Sequence, residues 1–415
     1  MSINQIEKID TPKNSNDLII LGKLAWERLN PSNWPFDIKK LPSGSFLVGG
    51  SVRDALLNEL DKKLDLDFVI PLLTYETAKE ISEDIAAKLI ILDEDRCIFR
   101  LVISSWTIDI ARQIGTSLFD DLNRRDFSIN SIALKIEGDH QLVDLFNGIR
   151  DLNNKYLRPI SKNNLIDDPL RILRCFRFIS EYNFTIDQDT QNFCKNKSFL
   201  LTEISPERIN YEIKKLICGK YAENSIKLIH KLNILQPWIN KSKVFINYCD
   251  QNYLNRSLFE EELLNALPYA RLFNLLSTEG LKNLKFSKKE IKICELLRKW
   301  QSRNNGSSFS NLTENELFQL HEEMENFLPI IILGLAKKDQ EIWMRRWNDL
   351  QDPLFHPSSP LDGNYLKKHL RISDGPSLGM IIKRLKIEKA FGRLQNKYQA
   401  LDLAQKLWKQ KQPFL

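Results

Sequence analysis

The chain is poor in the residues that build disulfide frameworks and metal clips. Six cysteines are spread over 415 residues with no C-x-x-C pair, which excludes a zinc ribbon and a small disulfide-stapled scaffold and fits a reducing compartment. Five histidines show neither a His-Asp doublet nor metal-ligand spacing, so nothing supports an appended metal phosphohydrolase domain. Long apolar runs are missing too: the longest, Phe327 to Ala336, is about ten residues and contains Pro329, about half the length a membrane-spanning helix needs. The opening MSINQIEKID has no apolar core of the kind a signal peptide carries. These absences lead to the expectation of a soluble, cytoplasmic protein.

What is present is ordinary globular material, with 42% hydrophobic and 27% charged residues, in a chain long enough for several domains. Charge is uneven. From Leu366 to Leu415 twelve Lys and Arg face three Asp and Glu, a net of +9, leaving −3 for the rest of a chain whose total is +6. A basic end on a near-neutral body is a footprint for a polyanion.

Two textures divide the sequence. Between Ser45 and Phe146, short β-branched runs recur (SFLVGG, DLDFVI, CIFRLVISS, TIDIA, SIALKI, QLVDLF), with helices expected at Val52–Leu60 and Tyr75–Leu89. After about Asn154, apolar residues recur at three- and four-residue spacing, as in Pro169–Glu181, Pro206–Ile217 and Asn224–Leu235. Polar breaks near 252–257, 302–310 and 351–363 divide this helical part. The expectation is an α+β fold, a mixed β-sheet head followed by an all-α neck, body and tail. Its boundaries fall at 1–40 for an N-terminal extension with one amphipathic helix (Leu18 to Leu29), 41–153 for the head, 154–220 for the neck, 221–305 for the body and 306–415 for the basic tail.

The densest chemistry lies in FLVGGSVRDALLNELDKKLDLDFVI, Phe46 to Ile70. Gly49 and Gly50 permit close backbone approach to a ligand, the following helix start offers free N–H groups to phosphate, and Arg53 adds a planar fork for phosphate oxygens. Asp65 and Asp67, two apart on a strand, emerge on one face while Leu66, Phe68 and Ile70 face the core. Two carboxylates so placed can hold Mg²⁺ in the two-metal arrangement suited to in-line attack at phosphorus. Asp109 in WTIDIAR is a candidate third carboxylate, completing the metal site or acting as base.

These residues resemble the first motif of class II tRNA nucleotidyltransferases and bacterial poly(A) polymerases, members of the polymerase-β-like superfamily. Further resemblances follow in the family's order: RRDFSINSIAL (Arg124–Leu134), DLFNGIRDL (Asp144–Leu152), DDPLRILRCFRF (Asp167–Phe178) and ISPERINYEIKKL (Ile204–Leu216). The C-terminal LDGNYLKKHLRISDGPSLGMIIKRL resembles the tail of tRNA-specific members. The resemblance implies a template-independent enzyme that extends an RNA 3′ end from CTP or ATP and releases pyrophosphate. Arg125 is then assigned to the nucleotide and Asp126 to the sugar hydroxyl.

Asp168 and Arg171 are the expected base readers. Cytosine and adenine present an amino donor beside a ring-nitrogen acceptor, whereas uracil and guanine present the opposite polarity. A carboxylate fixed beside a guanidinium, here by an expected ion pair between Asp168 and Arg171, therefore suits C and A and leaves buried groups mismatched with U and G. The Asp168-Pro169 pair also reads as a helix N-cap. Arg174 and Arg177 continue the row at three-residue steps and would support that face or contact phosphates. Where the family has Glu-Asp, this chain has Asp167-Asp168. Ser205-Pro206-Glu207-Arg208 is read as a helix start with a structural role.

Only fourteen residues, Ile110 to Asn123, separate Asp109 from Arg124. Full CCA-adding members have a longer loop there, so the resemblance implies CC addition to tRNA. Poly(A) synthesis and a non-catalytic RNA-binding role are the alternatives. Lys383-Arg384 and Lys406–Lys411 are expected to grip the tRNA body.

Overall fold

A computed structural model of the protein describes residues 11–60, 65–241, 259–304, 309 and 312–411. The expected break near 252–257 and part of that at 302–310 lie outside these residues. The chain divides into two compact units, 1–235 and 236–415.

The first unit carries a seven-stranded sheet. Its strands are β1 (Phe46–Val48), β2 (Asp65–Ile70), β3 (Lys88–Asp93), β4 (Ile98–Ile103), β5 (Trp106–Arg112), β6 (Ile132–Lys135) and β7 (Leu142–Asp144). They lie in the order β3-β4-β5-β2-β1-β6-β7, with only β2 and β5 parallel. Helix α1 (Ser15–Leu29) covers the expected amphipathic segment, α2 is Gly50–Leu57, α3 is Thr74–Asp84 and α4 is Leu118–Asn123. Two short helices follow, α5 (Gly148–Asn153) and α6 (Lys162–Asp167). The helical run then continues through α7 (Leu170–Tyr182), α8 (Gln188–Lys197), α9 (Pro206–Cys218) and α10 (Ala222–Leu232).

Strand β2 alternates as its sequence dictates. Leu66, Phe68 and Ile70 are buried, and Phe68 meets the rings of Trp34 and Phe36 edge-on. Asp65 and Asp67 occupy the opposite face. Register then fixes the carboxylates: Asp67 lies opposite Val48 on β1 and opposite Asp109 on β5.

One expected helix is shorter than the sequence indicates. The segment expected to be helical over Tyr75–Leu89 ends at Asp84, and Lys88–Asp93 forms the edge strand β3. Ala86 adopts a left-handed conformation (φ 52°), and the Ala87 N–H closes on the Ser82 carbonyl at 2.9 Å. That turn reverses the chain, and the apolar run KLIILD pairs with β4 instead of extending the helix.

Helix α7 buries Ile172, Leu173, Phe176 and Ile179 against α9 and α10. At about 2 kcal/mol per large apolar side chain, this packing fixes the helix that carries the arginine row. The second unit, in its described residues, is helical. Its last helices, Gly363–Leu370, Pro376–Ala390 and Lys397–Lys411, close around Leu366, Leu385, Ala400 and Ala404. Among the described residues no helix is long and apolar enough to cross a membrane.

Candidate active site

The β1–α2 turn, the carboxyl-bearing face of β2, β5, and helices α7 and α9 surround a cleft of about 910 Å³. Its lining includes Gly49, Gly50, Asp65, Asp67, Asp109 and the arginines at 53, 124, 125, 171, 174 and 177. The expected aspartates and arginines therefore converge on one cavity. Asp126 and Asp168 line it as well.

Gly49 is required by its position. Its φ is +80°, and a Cβ there would stand 2.9 Å from Asp67 Oδ2. The turn presses backbone against the Asp67 carboxylate. Burial, reinforced by neighbouring Asp109 and Asp65, pushes the Asp67 carboxyl up to about 6, although Arg125 and Arg100 pull it down. A buried carboxylate crowded by others gains from a cation beside it. Among the described residues no group of three or more His, Cys, Asp or Glu side chains is gathered around a metal position. Two carboxylates on one strand face could hold Mg²⁺, which takes one or two carboxylates and completes its shell with water and phosphate oxygens.

Asp109 is less open than the sequence indicates. Both its oxygens accept from Arg100 on β4, at 2.7 Å each, a bidentate cross-strand pair.

Arg53 sits at the floor with most of its donors engaged. It donates to both Asp54 oxygens at 2.8 and 3.0 Å, to Asn130 Oδ1 at 2.6 Å and to the Tyr182 hydroxyl at 2.8 Å. It also lies over the rings of Phe178 and Tyr182. Its structural part is to tie α2, the Arg124–Leu134 segment and α7 together. Asp126 is similarly engaged, with Asn130, the Phe127 N–H and Arg174 as partners at 3.0, 2.8 and 2.8 Å. Burial would raise its pKa, but Arg174 and these donors outweigh that and hold it low. Arg125 is anchored by buried Asp121 at 3.1 Å, and Asp121 also takes Arg124 at 3.0 Å.

The expected ion pair between Asp168 and Arg171 is replaced by other partners. Asp168 accepts from Arg208 Nη2 at 3.1 and 3.2 Å, and Arg171 donates to the carbonyls of Arg124 and Asn164 at 2.8 and 3.0 Å. The reason is geometric: Asp168 is the C-cap of α6, with extended backbone, not a member of α7, so i,i+3 helix spacing does not apply. Nor does Asp168 cap α7, whose N-cap is Pro169 with no side-chain bond. Arg177 is buried against Glu212 on α9 at 3.2 Å. The row at 171, 174 and 177 is thus held by three different anchors.

Sequence reasoning missed Arg100, Asp121, Asn130 and Glu212, and read Arg208 only as part of a helix start. Two signals were available: Asn130 stands four residues after Asp126, and Glu212 stands four after Arg208, each on a candidate motif. Asp121 gave none, because a buried carboxylate before two arginines reads as an exposed helix start.

Comparison with known proteins bears on the family and the fold. Residues 45–158 match the model of the poly A polymerase head domain, and 183–241 match that of a probable RNA and SrmB-binding site of polymerase A. The chain is 30% identical over 403 residues to a CC-adding tRNA nucleotidyltransferase of Synechocystis, covering 90% of this chain and 96% of that protein. It is 28% identical to an A-adding tRNA nucleotidyltransferase of Halalkalibacterium halodurans, covering 90% and 91%. The solved Thermotoga maritima CCA-adding enzyme complexed with tRNA has the same fold, with a TM-score of 0.66 at 21% identity over 96% of both chains. With the head, the neck and nearly the whole length accounted for, this chain belongs to the tRNA nucleotidyltransferase and poly(A) polymerase family of nucleotidyltransferases.

Proposed function

We propose that this protein is a CC-adding tRNA nucleotidyltransferase. The tRNA 3′-hydroxyl attacks the α-phosphate of CTP, a new 3′-O–P bond forms, and the bond to pyrophosphate breaks. Asp65 and Asp67 would hold Mg²⁺, which when bound neutralises charge on the attacking and leaving oxygens. Arg125, fixed by Asp121, contacts the triphosphate, and Gly49 and Gly50 let backbone N–H groups approach it. Asp126, steadied by Asn130 and Arg174, accepts from the ribose. Asp168 and Arg171, held by separate anchors, read the pairing edge of the base, and Arg53 and Arg177 keep the two walls of the cleft in place. The basic helices near Lys383-Arg384 and Lys406–Lys411 supply the sequence-independent attraction for the RNA body.

The observation that carries CC addition over CCA addition is the short, pinned connection between Asp109 and Arg124. After β5 the Gln113 N–H bonds the Ile70 carbonyl at 2.9 Å, and Ser117 and Asp120 form a capping box that starts α4 at once. Gly115 (φ +78°) lies so close to Asp120 that a Cβ would meet it at 2.4 Å. No length remains for a long excursion, and a short connection here is what the resemblance to CC-adding members implies. The CC-adding name of the Synechocystis relative supports the same reading.

The test is direct. Purified enzyme receives tRNA lacking its CCA end with Mg²⁺, CTP and ATP together, and the products are sized. A product two nucleotides longer, ending in CC, is expected; extension to CCA, or a long A tail, overturns the proposal.

A further inference from the structure

Tyr211 takes no part in the chemistry described above, yet it faces the same cleft. On α9 its neighbours Ile209, Glu212 and Ile213 are buried, whereas Tyr211 is 56% exposed. The Lys215 ammonium, one turn further along, lies 4.8 Å from the ring centroid. Lys215 and Lys220 both line the cleft, the Lys220 ammonium lying 5.5 Å from the Tyr221 ring centroid beyond the end of α9. One face of the Tyr211 ring is thus covered by a cation, and much of the remainder is open to solvent.

We propose that Tyr211 is the seat of the unpaired base at the RNA 3′ end, with Lys215 and Lys220 taking its phosphates. This deepens the nucleotidyltransferase reading and rests on it. The reaction brings two polyanions into one cavity, and the proposed function gives Arg125, Asp126, Asp168 and Arg171 to the nucleotide. The RNA end therefore needs a surface of its own, and α9 forms the other wall. An aromatic face flanked by ammonium groups is how single strands are held without regard to sequence, because every base has a π-face. That indifference suits an acceptor whose last base changes with each addition. A hydrogen-bonding pocket would have to be satisfied anew at every step.

The experiment measures KM for CTP and for tRNA lacking its CCA end, using the full-length enzyme and its Tyr211→Ala and Tyr211→Phe variants. Tyr211→Ala is expected to raise KM for the RNA about tenfold, with KM for CTP within twofold of wild type, and Tyr211→Phe to restore it. An RNA with an abasic 3′-terminal nucleotide should lose the same factor with the wild type and almost nothing with Tyr211→Ala. A KM for CTP that rises in step would assign the ring to the nucleotide and overturn the proposal. So would an RNA KM unchanged in Tyr211→Ala, or Tyr211→Phe as poor as Tyr211→Ala. Thermal unfolding of each variant separates these outcomes from misfolding, and loss of all wild-type incorporation would instead sink the underlying enzymatic reading.

Discussion

Asp168 and Arg208 are bound across the gap between the end of α6 and α9, with one guanidinium nitrogen bridging both carboxylate oxygens at 3.1 and 3.2 Å. The pair is partly exposed, with Arg208 at 51% and Asp168 at 29%, so its effect on stability is below about 1 kcal/mol. Its effect on geometry is larger, because it orients the carboxylate proposed to read the base.

Arg208→Ala should therefore leave the melting temperature almost unchanged while degrading selectivity. Comparison of kcat/KM for CTP and for UTP should give a ratio reduced about tenfold, with Arg208→Lys recovering part of it. An intact ratio would mean that Asp168 holds its orientation unaided.

The Asp67 carboxyl, raised from an ordinary 3.8 to about 6, favours the folded state most below pH 3.8. That contribution is lost as pH rises through 6, and the difference corresponds to at most about 3 kcal/mol. At pH 7.5 the metal-free protein should thus be stabilised by Asp67→Asn. Mg²⁺ should raise the melting temperature of the wild type more than that of the variant, and the Mg²⁺ concentration needed should climb as pH falls below 6. Incorporation should be lost in Asp67→Asn, assayed with radiolabelled CTP.

Asp121 is fully buried beneath two arginines. Asp121→Asn keeps the shape but weakens both charge-assisted bonds, so KM for CTP should rise about tenfold and stability should fall by about 1–3 kcal/mol. Steady-state kinetics and urea unfolding check the two effects separately. If CTP binding survives, Arg125 does not depend on this anchor.

In the second unit, His321 is buried among Trp343 and Phe355, and among the described residues neither ring nitrogen has a hydrogen-bond partner. Burial, reinforced by Arg346, holds its pKa down to about 3, against the opposite pull of Asp352. The sign follows: the unfolded chain takes up a proton near pH 6.5, so this histidine's share of stability is present above that pH and is lost as pH falls toward 3. His321→Phe should stabilise the protein at pH 5 by about 2 kcal/mol relative to its effect at pH 8, read from urea midpoints at both pH values.

The site was legible in the sequence wherever chemistry follows chain periodicity. Strand alternation put Asp65 and Asp67 on one face, and helical spacing put Arg174 and Arg177 on another. Contacts set by tertiary register were not legible. Nothing local says that Arg100 will face Asp109 across β4 and β5, or that Arg208 will replace Arg171 as the partner of Asp168. Strand β3 was missed for a different reason: its apolar run continues a helical pattern, and only the left-handed turn at Ala86 interrupts it.

The guanidinium at Arg53 has a further consequence. By joining Asp54, Asn130 and Tyr182, it rivets the sheet side of the cleft to helix α7, the proposed selecting element. Transplanting α7 from a cousin of different nucleotide preference would therefore carry Tyr182 and Phe178 into a foreign socket. Altered specificity by such grafts should succeed only when the whole rivet travels with the helix.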